Sequence, residues 1–222
     1  MANYAVDKVT GLKYNVDEWM IHCENRSIGE CPICDEDVFI KADKSPKRST
    51  HFSHYPHSSC PTIKENRKPF IDLPPSDIDE KNAIRLKKEF TENLYGIYLK
   101  CNSLADGIKF SVFRELILSF TQKNIWNYKG LTLKYIPYIL LACREKFPTN
   151  ESSFRKENVY FIFEPNMRYG DDLWNKPQKI KQKMWKVFLS NGDFEEFNIS
   201  DEWIVEPYWF ENTRSKIQDI IK

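Results

Sequence analysis

Apolar residues recur every three to four positions through the middle of the chain. Ala83/Ile84, Phe90, Leu94, Ile97/Tyr98 and Cys101 give one apolar face of a helix over about 78–101. Ser76 and Asp79 suit its start, Ser76 as a cap for an orphan N–H and Asp79 as an anion at the positive helix end. Phe110, Phe113, Leu116/Ile117 and Phe120 mark a second helix. Leu131 to Phe147 suggests a third, with Ile136, Ile139/Leu140 and Cys143 inward and Pro137 in its first turn or kinking it. The pattern then changes. Val159 to Phe163 is β-branched and aromatic, as a buried strand requires. Trp185–Leu189 and Phe194–Ile199 flank Ser190-Asn191-Gly192-Asp193, which predicts a hairpin with a type I′ turn at Asn-Gly. Thr213 to Lys222 can form a short helix. Before the helices, residues 69–79 carry three prolines and neither period, which reads as a linker. No internal repeat is visible.

The chain has 222 residues, of which 41% are hydrophobic and 14% aromatic, enough for a packed core. Its 33 basic and 32 acidic residues leave a net charge of +1, so any attraction to polyanions must be local. The seven glycines are dispersed, and neither the dinucleotide-binding nor the phosphate-loop spacing occurs, so no nucleotide cofactor is expected. The N-terminus lacks a signal-peptide pattern, and the longest uncharged apolar run, Tyr135 to Cys143, is too short to span a bilayer. A soluble, cytoplasmic protein without membrane partners is therefore expected. In that reducing compartment the six cysteines read as thiols or metal ligands.

Four of those cysteines and all four histidines crowd the first sixty residues. Cys31-Pro-Ile-Cys34 is a tight two-thiol knuckle, and seventeen residues later comes His51-Phe-Ser-His54-Tyr-Pro-His57-Ser-Ser-Cys60. Two thiolates from one turn, with a histidine and a thiolate from a second loop, make a closed tetrahedral zinc site, the form zinc takes when its role is structural. Val38-Phe39-Ile40 can supply a hairpin strand between the two pairs. Residues three apart on an extended chain point to opposite faces, so at most one of His51 and His54 faces the metal. The predicted ligands are Cys31, Cys34, His54 and Cys60. His51 is the alternate, and His57, His22 and Cys23 are further candidates. The fold expected is α+β: a small zinc-ribbon-like module over 1–68, a linker over 69–79, and an α+β domain over 80–222 with a helical segment and a C-terminal antiparallel hairpin or sheet.

The knuckle CPIC (31–34) followed by HFSH (51–54), with the opening stretch Ala5 to Tyr14, resembles the N-terminal zinc-finger region of the competence protein CoiA-like family. The resemblance covers about the first sixty residues. In that family the finger generally precedes a restriction-like nuclease domain, so the resemblance implies DNA processing or association with DNA, and a bacterial or phage source. A nuclease centre of that kind needs two carboxylates on strand ends with a lysine two residues after the second. Here Asp79-Glu80-Lys81 falls at a helix start, and Glu164, Asp171, Asp172 and Glu206 have no lysine two residues on. Cys101 and Cys143 read as buried thiols on helix faces.

Residues 41–68 hold Lys41, Lys44, Lys47, Arg48, Lys64, Arg67 and Lys68 against Asp43 and Glu65, a local net of +5 beside the metal ligands. These cations can meet phosphates, and Phe52 or Tyr55 can stack on an unpaired base. A second run, Lys176, Lys179, Lys181, Lys183 and Lys186, lies among tryptophans. Trp203, Tyr208, Trp209 and Phe210 cluster around Pro207 and can be core or a partner surface. The leading expectation is a zinc-stabilised, non-catalytic DNA-associated protein, DNA being favoured over RNA. The alternatives are a divergent metal-dependent nuclease and a protein-interaction adaptor with a structural zinc.

Overall fold

The computed structural model describes residues 3–41, 50–67, 69–152, 154–202 and 210–221. Among these the chain is α+β, with an N-terminal antiparallel sheet, a helical middle and a C-terminal antiparallel sheet. The first half-module is built from β1 (Tyr4–Val6), β2 (Lys13–Asn15), α1 (Val16–His22), β3 (Ile28–Glu30), β4 (Asp37–Lys41) and β5 (His51–His54), the strands ordered β2-β1-β3-β4-β5. The sequence period did not reveal α1, but its capping pair did stand in the sequence. Asn15 accepts from the Glu18 N–H at 2.9 Å while Glu18 accepts from the Asn15 N–H at 3.0 Å.

Helix α1 lays Trp19 across the sheet, fully buried, edge-on to Phe52 at 5.3 Å with its indole N–H on the Arg26 carbonyl at 2.6 Å. Phe52 is therefore spent on this core and cannot stack on a base. Tyr55, 45% exposed, leans on Phe39.

The helical middle consists of α2 (Glu80–Glu92), α3 (Leu94–Leu104), α4 (Phe110–Gln122) and α5 (Ile136–Ala142). The single helix expected over 78–101 is two, broken at Asn93, whose side chain donates to the Glu89 carbonyl at 2.8 Å and competes with the helical ladder. Asp79 is the N-cap, accepting from the Asn82 N–H at 3.0 Å; Ser76 is engaged elsewhere, with Asp171. Pro137 sits in the first turn of α5, a helix shorter than the apolar run because a 3-10 turn at Leu133–Tyr135 precedes it. All seven α5 residues are buried.

The second sheet, ordered β6-β7-β8, comprises β6 (Val159–Ile162), β7 (Lys183–Phe188) and β8 (Phe194–Asn198); a short α6 (Asp172–Asn175) precedes β7 and α7 (Glu211–Ile221) closes the chain. The hairpin between β7 and β8 is present, but its turn is not type I′. Val187 pairs with Phe194, the Phe188 N–H donates to the Asp193 carbonyl, and only Gly192 of the expected pair has positive φ, so the loop is four residues long.

Alternation along β6 and β7 gives this sheet two buried faces. Tyr160, Ile162, Trp185 and Val187 join Trp19, Phe52 and the cysteines in one core, whereas Val159, Phe161 and Met184 join the helices in the other. Lys186 is buried on the helix side, where Asp106 at 2.9 Å and Glu195 at 2.5 Å balance it. The stretch 69–79 links the two cores and is itself anchored. Phe70 packs edge-on to Phe163, the Tyr128 hydroxyl donates to the Leu73 carbonyl, and Asp171 takes the Ser76 N–H. Phe210 packs on Tyr95 at 4.9 Å, so this ring is core; Trp203, Pro207, Tyr208 and Trp209 lie outside the described residues. No helix among the described residues is long and apolar enough to cross a membrane.

Gly29 on β3 lies directly beneath Trp19. A Cβ there would stand 2.6 Å from Trp19 Cη2 and 2.8 Å from Ala5 Cβ. Gly29→Ala is expected to destabilise the protein by about 1–3 kcal/mol, the usual range for overpacking, seen as a lower midpoint of chemical denaturation at unchanged slope.

Candidate metal centre

Two loops carry the donors. Glu30 pairs with Asp37, so residues 31–36 form the loop between β3 and β4. The Cys31 N–H donates to the Glu36 carbonyl at 2.8 Å, and the Asp35 N–H to the Cys31 carbonyl at 2.9 Å. Asp35 closes the knuckle with φ of 61°, a left-handed conformation that Asp tolerates better than most residues. Strand β5 then runs antiparallel to β4 with His54 opposite Val38, which returns the imidazole to the knuckle end of the hairpin. The chain reverses through His57, and Cys60 follows. Its N–H is held by Ser58 Oγ at 3.1 Å and its carbonyl by the Asn66 amide at 3.2 Å. Glu36 ties the loops together, accepting from the Ser59 N–H at 3.1 Å and the Ser59 hydroxyl at 2.8 Å.

The result brings one donor atom each from Cys31, Cys34, His54 and Cys60 within 4.8 Å of one another. Cys31 Sγ lies 4.0 Å from Cys60 Sγ, and Cys34 Sγ lies 3.4 Å from His54 Nε2. A tetrahedral zinc-sized ion with bonds of about 2.3 Å to sulfur and 2.0–2.1 Å to nitrogen separates its donors by roughly 3.5–3.8 Å. The four residues therefore fit a metal ion without rearrangement of the loops.

Burial and charge fit it as well. All three cysteines are buried and His54 is half-buried. Hydrogen bonds from Cys31 and Cys34, with help from Thr62, hold Cys60 well below the usual thiol range. The same contacts with Cys31 and Cys60, then burial, push Cys34 up. Sulfurs packed this closely repel one another when ionised, and a cation among them relieves that repulsion.

A lysine from the segment that leads into β7 reaches into the knuckle. Lys181 Nζ donates to the Pro32 and Ile33 carbonyls, both at 3.3 Å, and to Asp35 at 2.5 Å. Sequence spacing gave no sign of this contact across 146 residues, nor of Glu36 as the brace.

The other sequence candidates are dispersed. His22 stacks on Tyr14 at 5.4 Å, and Cys23 is buried beside α1, away from the four donors. His51 pairs with Lys41 in the β4–β5 ladder, and its ring is not among the clustered donors. Of the basic loop residues, Lys41 and Lys64 are exposed, whereas the Arg67 guanidinium lies 3.3 Å from the Tyr160 ring centroid. Lys44, Lys47, Arg48 and Lys68 lie outside the described residues.

The second basic run is largely neutralised within the chain: Lys176 pairs with Asp172, Lys181 with Asp35, Lys183 with Glu196 and Lys186 with Asp106. Asp171 and Asp172 serve the fold, Asp171 accepting from Ser76 and Asn175, and Asp172 accepting from the Arg168 and Tyr169 N–H groups.

Metal stoichiometry checks the ligand set. Wild-type protein is expected to hold one ion per chain, and Cys31→Ser to lose it and melt the N-terminal module, since metal binding supplies much of such a module's folding energy. His54→Ala is expected to weaken binding while His51→Ala retains full loading, as read by metal content and by the thiolate charge-transfer bands of a cobalt(II) derivative.

No curated protein and no solved structure matches the chain. Residues 24–63 match the competence protein CoiA N-terminal domain, and that segment encloses Cys31, Cys34, His54 and Cys60, so the part of the chain that carries the four donors is CoiA-like.

Proposed function

We propose that this is a DNA-associated protein whose N-terminal module is held by a structural zinc ion. The observation that carries the reading is the four-donor centre lying wholly inside the segment that matches the CoiA N-terminal domain. Three thiolates and an imidazole are a soft set that suits zinc over the hard, oxygen-seeking cations. Four protein ligands also leave no coordination position for substrate, which supports a structural rather than a catalytic ion. The proposal assigns the protein to the reducing cytoplasm of a bacterium or of a phage-infected cell, where thiolates persist as ligands.

The DNA assignment rests on the family's name for competence and on the cations of residues 41–68, a stretch of the sequence with a net charge of +5 that contains His54 and Cys60. The zinc acts by holding the β4–β5 hairpin and the Cys60 loop in one geometry, so that Lys41 and Lys64 stand on a rigid frame. Phosphate neutralised by such a surface releases counterions and makes affinity fall with salt.

Binding of zinc-loaded protein to labelled single- and double-stranded DNA and RNA across a salt series tests the proposal. A linear fall of log affinity with log salt is expected, with tighter binding of DNA than of RNA at any one salt concentration, and Lys64→Glu should reduce the slope by about 1. Absence of binding at low salt would overturn it.

A further inference from the structure

A cavity of about 500 Å³ lies where three segments meet: the loop beyond Cys60, the anchored stretch 69–79, and the exit of β6. Phe70, Phe163 and Met167 give it apolar walls. Its charged lining is net acidic, three carboxylates against the Arg168 guanidinium. Glu65 and Asp72 are exposed at the rim, while Glu164 is 95% buried in the wall.

Glu164 is incompletely satisfied. Its Oε2 accepts the Lys181 N–H at 3.1 Å, but Oε1 is buried without a hydrogen-bond partner. Neighbouring cations do not complete it. The Lys181 ammonium is committed to Asp35 and the knuckle carbonyls, and the exposed Arg168 guanidinium sits over the Tyr169 ring, 5.7 Å from its centroid. A buried carboxylate oxygen without a donor is costly, and burial accordingly pushes the Glu164 carboxyl up. A donor-bearing cation brought into the cavity would relieve that cost. Phosphate, facing three carboxylates, would be repelled.

We propose that this cavity binds an organic cation, a guanidinium or primary ammonium head on a slim apolar stem, with Glu164 as the group that selects it. The head meets the Glu164 carboxylate, the stem lies against Phe70, Phe163 and Met167, and Asp72 and Glu65 draw the cation to the mouth. This site is independent of the nucleic-acid reading, because its lining has the opposite charge preference.

Calorimetric titration of the full, zinc-loaded chain with butylguanidinium and with butylurea, its neutral counterpart of similar shape, tests the proposal. Butylguanidinium is expected to bind at least about tenfold more tightly than butylurea, and Glu164→Gln to weaken it by about tenfold or more, the effect of removing a charge-assisted hydrogen bond. Asp72→Asn, at the exposed rim, should weaken it by roughly two- to fivefold and serves as the variant least able to disturb folding. Asp77→Asn, at an exposed residue outside the cavity lining that pairs with Lys129, should leave binding unchanged. A capped arginine dipeptide that binds more tightly than butylguanidinium would identify a protein side chain as the source of the cation, and equal binding a free small molecule. Either result supports the site. Absence of saturable butylguanidinium binding up to about 10 mM, equal binding of butylurea, or undiminished binding by Glu164→Gln would overturn it.

Discussion

Three sulfurs and an imidazole nitrogen converge within 4.8 Å, and the remainder of the N-terminal module is arranged to make that convergence possible. Buried thiols in such contact repel one another when ionised, and a cation among them relieves that repulsion; outside the cluster, Thr62 Oγ1 stands 3.1 Å from Cys60 Sγ. The knuckle needs Asp35 in a left-handed conformation; the return strand needs the Val38–His54 register; the last ligand needs a loop pinned by Asn66 and Glu36. A one-residue slip of β5 would turn His54 to the opposite face and remove it from the cluster. Register, turn conformation and ligand geometry are therefore one constraint expressed three times.

The second sheet extends that constraint through the molecule. Because β6 and β7 are apolar on both faces, the cysteine-rich core and the helical core share a wall only one strand layer thick. Lys181, two residues before β7, donates its side chain to the knuckle and its backbone N–H to Glu164 in the cavity wall. The donor-bearing loops and the cavity consequently share supports, Lys181 together with Ser59 and Asn66, and a change in one loop has a short physical route to the other.

Much of the metal site was legible because ligand chemistry is local: CPIC fixes two donors within four residues, and strand alternation alone separates His54 from His51. The helical period was equally visible, as in Phe110 to Phe120. What the period could not show was Asn93, a polar residue whose side chain competes with the backbone and splits one helix into two. The hairpin was readable from Asn191-Gly192, but the turn type depends on how the strands close at Phe188 and Asp193, which is a matter of pairing rather than of two residues. Contacts such as Lys181 with Asp35 or Phe52 with Trp19 belong to tertiary structure, and there composition misleads. A lysine run among tryptophans reads as a phosphate surface until Lys176, Lys181, Lys183 and Lys186 are each seen to have a carboxylate.

That last point changes how the near-zero net charge should be understood. A balance of 33 basic and 32 acidic residues is compatible either with thorough mixing or with segregation into patches of opposite sign. Around the second sheet the charges are mixed, since Lys176, Lys183 and Lys186 each meet an acid of their own chain and contribute little field. In the segment 41–68 the sequence offers no comparable supply of acids, and beyond Cys60 the cavity offers three carboxylates with one guanidinium. Segregation is thus a feature of the sequence at 41–68 and of the cavity, with Glu65 belonging to both, and the residues that support the cavity, Ser59, Asn66 and Lys181, are also those that hold the knuckle and the Cys60 loop.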